Sequence, residues 1–526
     1  MKKITKNTLY LALLLFLTTA CYEDKGNYDY SEVPEITAEG LPEQVTLLQK
    51  ADVLSITPTL KSSTEGIIRE GDPNYEFGCL LYIRSGRLPN GSRYIDINEE
   101  RKQKIECIPD VGPGEYVCWY TVTDKRTSVT TNFKVDVKIV STTYEGWMVL
   151  CDEGAENHVR LDLISVISKD RIVVARDLLG MNAPLLRNAK KIYFDAYPKD
   201  VRGDAIFISS EEGIYEIDNA SLETSDRNDI SCSLFLKALE DEKPDVIASV
   251  YFNNQFVITD KGNLYKRNTW NAGGGFEFPI NTLISNGKPE FTLAPFIGTM
   301  QTHNAETELI ALLYDKDNRR FLKWDDAKEE LCASFSDPEN ALFSFSTGKE
   351  MIAMESTKFA SATVYSILQD EAHKRYVYGI NLAGKSYQQT YYRQIEATDF
   401  DKAKHFAFHS LYPYMFYETG NKVYCYHLQG QGLIPSATLT LDGEEITMMK
   451  FNPFQTPAER LSDTSDEFLE QERYLIVGSY KKDDSDPNNG IVRFYKFDNT
   501  NGTLTEVAKY TGFAKVRDVT YRERWK

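Results

Sequence analysis

The sequence predicts an all-β protein: an N-terminal β-sandwich followed by a seven-bladed β-propeller. Short apolar runs alternate with polar residues, as in Tyr75-Glu76-Phe77-Gly78-Cys79-Leu80-Leu81-Tyr82-Ile83, which is the period-2 mark of a half-buried strand. After residue 145 a strand, a polar turn and a second strand recur seven times. Aromatics make up 12% of the chain, with 32 Tyr and 27 Phe, residue types that fit a pleated surface.

The chain opens with Lys2, Lys3 and Lys6, followed by the apolar run Leu9–Leu17, which is too short to span a bilayer. Thr18, Thr19 and Ala20 then lead to Cys21. Residues 1–20 therefore read as a lipoprotein signal peptide, cut before Cys21, whose thiol and new amino terminus carry acyl chains such as palmitate. The usual box has Leu three positions before the Cys; here Thr18 stands there and Leu17 is one place off. An ordinary signal cut nearby would leave Cys21 as a lone thiol on a secreted chain.

Residues 21–33 form a polar, acidic linker. Its start, Cys21-Tyr22-Glu23-Asp24-Lys25-Gly26-Asn27-Tyr28-Asp29-Tyr30, resembles the opening of the PKD-like family lipoproteins of Bacteroidota. The resemblance implies that Glu23 and Asp24 direct export to the outer leaflet of the outer membrane, facing the cell exterior. It also implies partners, a SusC-like transporter and a SusD-like lipoprotein of a Sus-type TonB-dependent nutrient uptake system. The expected role is a non-catalytic accessory protein that binds a glycan or peptide and passes it to the transporter.

Residues 34–141 read as the sandwich, with alternation in Val53–Leu60 and Phe133–Ile139. Within it, Gly114-Glu115-Tyr116-Val117-Cys118-Trp119-Tyr120-Thr121-Val122-Thr123-Asp124 resembles a strand of PKD and immunoglobulin-like domains. The glycine admits the chain, the tyrosine anchors a sheet corner and the aspartate ends the strand. The Trp-Asp-Phe-Gly-Asp-Gly loop of typical PKD domains is absent, so nothing that loop does is carried over.

Residues 145–526 read as the propeller. The seven hairpins start at Trp147, Ala205, Gln255, Leu309, Thr363, Tyr414 and Tyr474, each turning through Gly, Asn or Asp into a second apolar run. The segment Val516–Tyr521 is placed to close the ring against the first hairpin.

Charge narrows the function class. The net charge is −18, and removing residues 1–20 takes away three Lys and no acid, giving −21. Such a chain does not suit nucleic acid or a polybasic membrane patch, so the lipid alone is the membrane attachment. Of eight Cys, seven remain after Cys21, and no C-x-x-C occurs. Most read as buried small hydrophobes, with one bridge, Cys79 to Cys118, left open.

No catalytic residue, metal or cofactor is called for. His405 and His409 share the i, i+4 spacing of a zinc helix, but no Glu follows the first, and the run alternates like a strand, which sets them about 13 Å apart. Lys481–Gly490 carries acids at alternate positions yet fails the calcium-loop pattern. No nucleophile elbow, Walker or dinucleotide fingerprint is present. Aromatics in polar surroundings are the better lead. Trp270 lies beside Gly273–Gly275, and Tyr391 and Tyr392 sit in a polar stretch, so these three are the expected ligand contacts. The rival classes are a surface hydrolase or lyase on a propeller scaffold and a structural subunit of the transporter complex. A cluster of acids in the central funnel would favour the enzyme.

Overall fold

The computed structural model describes residues 33–524 except 169–170, 197–203, 234–241, 251–253, 269–274, 277, 285–288, 301–309, 326–330, 386, 431 and 483–484. The chain is all-β, with one short helix, Asp466–Glu470, among the described residues. No described helix is long and apolar enough to cross a membrane. The expectations for Cys21, Glu23 and Asp24 fall outside the described residues, as does that for Trp270.

Two compact units meet between Ile139 and Val140. The first contains a five-stranded sheet in the order Gln44–Leu48, Val129–Val140, Gly114–Asp124, Tyr75–Ile83 and Tyr94–Asp96. A three-stranded sheet (Ile36–Glu39, Thr59–Ser62, Gly66–Ile68) and the pair Leu54–Ile56 with Ile105–Cys107 complete it. Alternation puts Tyr116, Cys118, Tyr120 and Val122 inward from one strand and Cys79 and Leu81 from its neighbour, into one apolar core with Leu54, Ile56 and Val135. Tyr116 anchors its corner by donating from its hydroxyl to the Gly112 carbonyl, 2.8 Å away. Asp124, 1% exposed, ends the strand by accepting from the Arg126 backbone and guanidinium.

Among the described residues, the second unit holds seven antiparallel sheets in chain order. Each contains one of the seven hairpins expected from sequence, with registers such as Phe207↔Glu216, Tyr365↔Gly379 and Val477↔Arg493. The first sheet gains a fourth strand from the end of the chain. There Lys515–Arg522 pairs with Gly146–Glu153, setting Val519 opposite Val149.

The apolar clusters follow the same order. Sheets one and two share Leu150, Leu161, Ile192 and Ile206. Sheets two and three share Phe207, Ile247 and Val257. Three and four meet through Phe256, Leu313 and Trp324. Four and five meet through Leu312, Tyr314 and Val364. Five and six share Ile367, Met415 and Tyr417, and six and seven share Phe416, Leu475 and Val477. The seventh then packs on the first through Ile476, Val492, Val516, Val519 and Trp147. Approach there is so close that a Cβ on Gly478 would lie 2.7 Å from Met448 Cγ and 2.9 Å from Val516 Cγ1. A side chain at that position would force the seventh sheet off the last strand.

Candidate functional site

The first strand of each sheet after the first except the fourth, together with the closing strand of sheet one, is at most eight residues long, and several carry charge at positions where a buried strand would be apolar. Examples are Lys191 and Asp195 in Lys191–Asp195, Glu355 in Glu350–Ser356, and Arg517 and Asp518 in Lys515–Arg522. These strands, with the segment 296–300, converge on one cavity of about 560 Å³. The segment joins sheet four through paired backbone bonds between Gly298 and Leu312, both 2.8 Å. Glycine is needed there because a Cβ would sit 2.9 Å from Val364 Cγ1 of the next sheet.

Polar bonds tie neighbouring sheets around the cavity, and one, from Arg517 to Asp152, lies within sheet one. Asp518 accepts from the Ile192 N–H at 3.1 Å and from Lys450 Nζ at 3.0 Å. Asp195 accepts from Ser249 Oγ at 2.6 Å, and the Thr299 N–H donates to Ser356 Oγ at 3.0 Å. Glu355 accepts from the Phe408 N–H at 3.2 Å. Arg517 Nε reaches Asp152 Oδ2 at 2.5 Å, and Thr520 donates to Asn452 at 2.9 Å.

Three ionisable groups of the cavity, Glu355, Glu523 and His405, are held away from their ordinary states. Burial pushes the Glu355 carboxyl up to about 8, against the pull of Lys191 and Lys450. Burial likewise pushes Glu523 up to about 7, although its oxygens accept from the Gln455 and Thr456 N–H groups at 2.7 and 2.8 Å. His405 is pressed down to about 4, first by burial and then by the charges of Arg517, Lys404 and Lys191. Near neutral pH the cavity therefore holds a protonated Glu355, a neutral His405 and five cations, Lys190, Lys191, Lys404, Lys450 and Arg517, of which Lys190 is paired with Asp245. Arg517 and Lys450 have acidic partners. Lys191 and Lys404 have none among the described residues. The arrangement can hold a polar ligand and can exchange a proton with it.

Of the aromatics singled out from sequence, Tyr391 and Tyr392 do not line this cavity. Tyr391 and Tyr392 lie on Gln388–Gln394, the strand of sheet five farthest from the cavity lining. Tyr392 packs 4.9 Å from Tyr378 and stacks on Tyr376, while Tyr391 joins the apolar cluster between sheets five and six. Their rings cover a sheet edge. His405 lines the cavity, whereas His409 is 1% exposed against Tyr412 and Phe451, and burial lowers it to about 3. Among the described residues no group of acids, His and Cys is placed to hold a metal. Lys191, Glu355, Lys404 and Arg517 were missed by sequence reading, and His405 was weighed there only as a zinc ligand. For Lys191, Glu355 and Arg517 the available signal was charge placed inside otherwise apolar strand runs.

Sheets and cavity together define a two-unit all-β protein whose N-terminal part is PKD-like. The model of the PKD-like family matches residues 21–190, which run from Cys21 through the first sheet of the second unit. No curated protein matches the chain. Among solved structures, a quinonprotein alcohol dehydrogenase-like protein from Bacteroides thetaiotaomicron is 10% identical, with 93% of this chain and 100% of that chain covered, at a TM-score of 0.34. A protein of a family of unknown function from Bacteroides caccae is 9% identical, covering 93% and 98%, at 0.33. The WD40 domain of SCAP from fission yeast is 10% identical, covering 59% and 62%, at 0.31. None of these likenesses bears on what the chain does.

Proposed function

We propose that this chain is an outer-membrane lipoprotein on the cell exterior, tethered through Cys21 and exported under Glu23 and Asp24. In this reading it serves a Sus-type nutrient uptake system as a non-catalytic binding component, presenting a glycan or peptide to a SusC-like transporter and its SusD-like lipoprotein. Its second unit is read as a seven-bladed β-propeller whose blades are the seven sheets and whose ring is closed by Lys515–Arg522. The observation that carries the binding role is the cavity of about 560 Å³, where strands of six sheets and the segment 296–300 converge and where Lys191 and Lys404 have no ionic partner among the described residues. The motif after Cys21 and the PKD-like match support the address. The test is affinity purification from native outer membranes. A SusC-like transporter and a SusD-like lipoprotein should co-purify with the wild type, and Cys21→Ala should leave the membrane fraction. Absence of both partners, with Cys21→Ala still membrane-bound, overturns the reading.

One observation favours a second reading. Glu355 and Glu523 are both held near neutrality in the same cavity, which is what general acid–base catalysis requires, so a hydrolase or lyase would find its groups there. Multiple-turnover cleavage of a glycan or peptide that disappears in Glu355→Gln decides for the enzyme.

A further inference from the structure

We propose that the cavity binds an acidic sugar, with Lys191 and Lys404 as the anchors of its carboxylate and Arg517 reinforcing their field. The proposal rests on reading the cavity as the ligand site.

The charge distribution argues for an anion. The chain as a whole is strongly acidic, at −18, yet five cations line this one cavity, of which Lys190 is paired with Asp245. Two of them, Arg517 and Lys450, are matched by Asp152 and Asp518. Lys191 and Lys404 are exposed to the cavity water and have neither an ion pair nor a hydrogen bond to their amines among the described residues. Two unmatched amines lining one cavity repel each other unless an anion joins them. His405 independently reports the sign of the field, since Arg517, Lys404 and Lys191 all disfavour its protonated form. Of the acids on the wall, Asp518 is paired with Lys450, Asp195 accepts from Ser249 and offsets one cation, Glu523 is pushed up to about 7, and the Glu355 carboxyl, pushed up to about 8, is protonated near neutral pH and offers an O–H to a ligand oxygen.

Size and setting narrow the anion. The outer surface repels a polyanion at long range, so the ligand is small enough to enter before it meets the lysines. About 560 Å³ lies in the range of small-molecule sites and exceeds what an inorganic ion fills. The remaining wall mixes donors and acceptors, such as Thr299 and Asn452, with the rings of Phe406 and Tyr193. Hydroxyls and an apolar ring face on the ligand suit that mixture.

The test is calorimetric titration of the full mature chain with D-galacturonate and D-glucuronate, against their neutral parents D-galactose and D-glucose. At least one uronate should bind at least tenfold more tightly than its parent, and the preference should shrink as salt is raised. Lys191→Gln/Lys404→Gln should erase the preference while leaving the melting temperature within a degree or so of wild type, since both side chains are solvated. Equal binding of uronate and parent, or a preference surviving in the double variant, overturns the carboxylate assignment and leaves the cavity a sugar site. Binding of none of the four also overturns it, and the transporter-partner reading then stands or falls on co-purification alone.

Discussion

Tyr521→Ala should destabilise the second unit by about 3–5 kcal/mol, the usual cost of deleting a large buried aromatic side chain. Tyr521 lies on the last strand, is 1% exposed, and packs edge-on against Trp147 at 4.9 Å, with Phe454 at 5.4 Å and Phe468 at 5.5 Å. Those rings come from sheet one and from the segment that leads into the seventh hairpin. The side chain therefore exists in this environment only while the chain end is docked on the first strand. Its hydroxyl donates to Glu145 Oε1 at 3.0 Å, so Tyr521→Phe should cost less, about 1 kcal/mol, because Ser462 still donates to that oxygen. Unfolding entropy of about 2.1 cal/mol/K per residue, over the unit beginning at Val140, gives roughly 1.2 °C per kcal/mol. Differential scanning fluorimetry at one scan rate should then show a fall of about 4–6 °C for Tyr521→Ala and about 1 °C for Tyr521→Phe. Tyr392→Ala is the control: that ring is 40% exposed on an outer strand and should move the midpoint far less. A Tyr521→Ala midpoint within 1 °C of wild type refutes the docking of the last strand on the first.

Two further outcomes follow from the geometry. The thiols of Cys79 and Cys118 lie 3.0 Å apart in the sandwich core, on adjacent strands. Oxidised glutathione should therefore take two electrons and two protons from this pair to form their disulfide; peptide mapping that finds the bridge on Cys107, or finds all three thiols still alkylated, contradicts it. For Glu355, the folded carboxyl is raised to about 8 above its ordinary value, so its contribution is complete at acid pH and is lost as pH rises through about 8. Melting temperatures between pH 5 and pH 8 should fall more steeply for wild type than for Glu355→Gln, which stays neutral throughout, and parallel profiles sink the assignment.

The hairpins were legible in the sequence because each places Gly, Asn or Asp between two apolar runs that bury both faces, as in Leu475-Ile476-Val477 opposite Arg493-Phe494-Tyr495. The cavity-lining strands were not, because a strand with one side on water-filled space reads as mixed composition. Lys191-Ile192-Tyr193-Phe194-Asp195 mixes charge with apolar residues, and the segment at Gly298 makes only a bridge. Thr447 marks a register shift in Glu444–Lys450, and such bulges also interrupt the period that sequence reading depends on. Tyr391 and Tyr392, read from their polar surroundings as exposed, divide between exposed and packed settings: Tyr392 is 40% exposed beside Tyr376 and Tyr378, and Tyr391 packs in the cluster with Tyr365. The Gly114–Asp124 motif was readable because its tyrosine and aspartate act locally, on Gly112 and Arg126.

Hydrogen–deuterium exchange with and without D-galacturonate asks most directly whether ligand enters the cavity. Protection should appear in peptides spanning 191–195, 404–408 and 515–522, the segments that carry Lys191, Lys404, His405 and Arg517. Protection confined to peptides spanning 388–394, with the cavity strands unchanged, would place the ligand on the outer strand of sheet five and contradict the assignment of the cavity as the binding site.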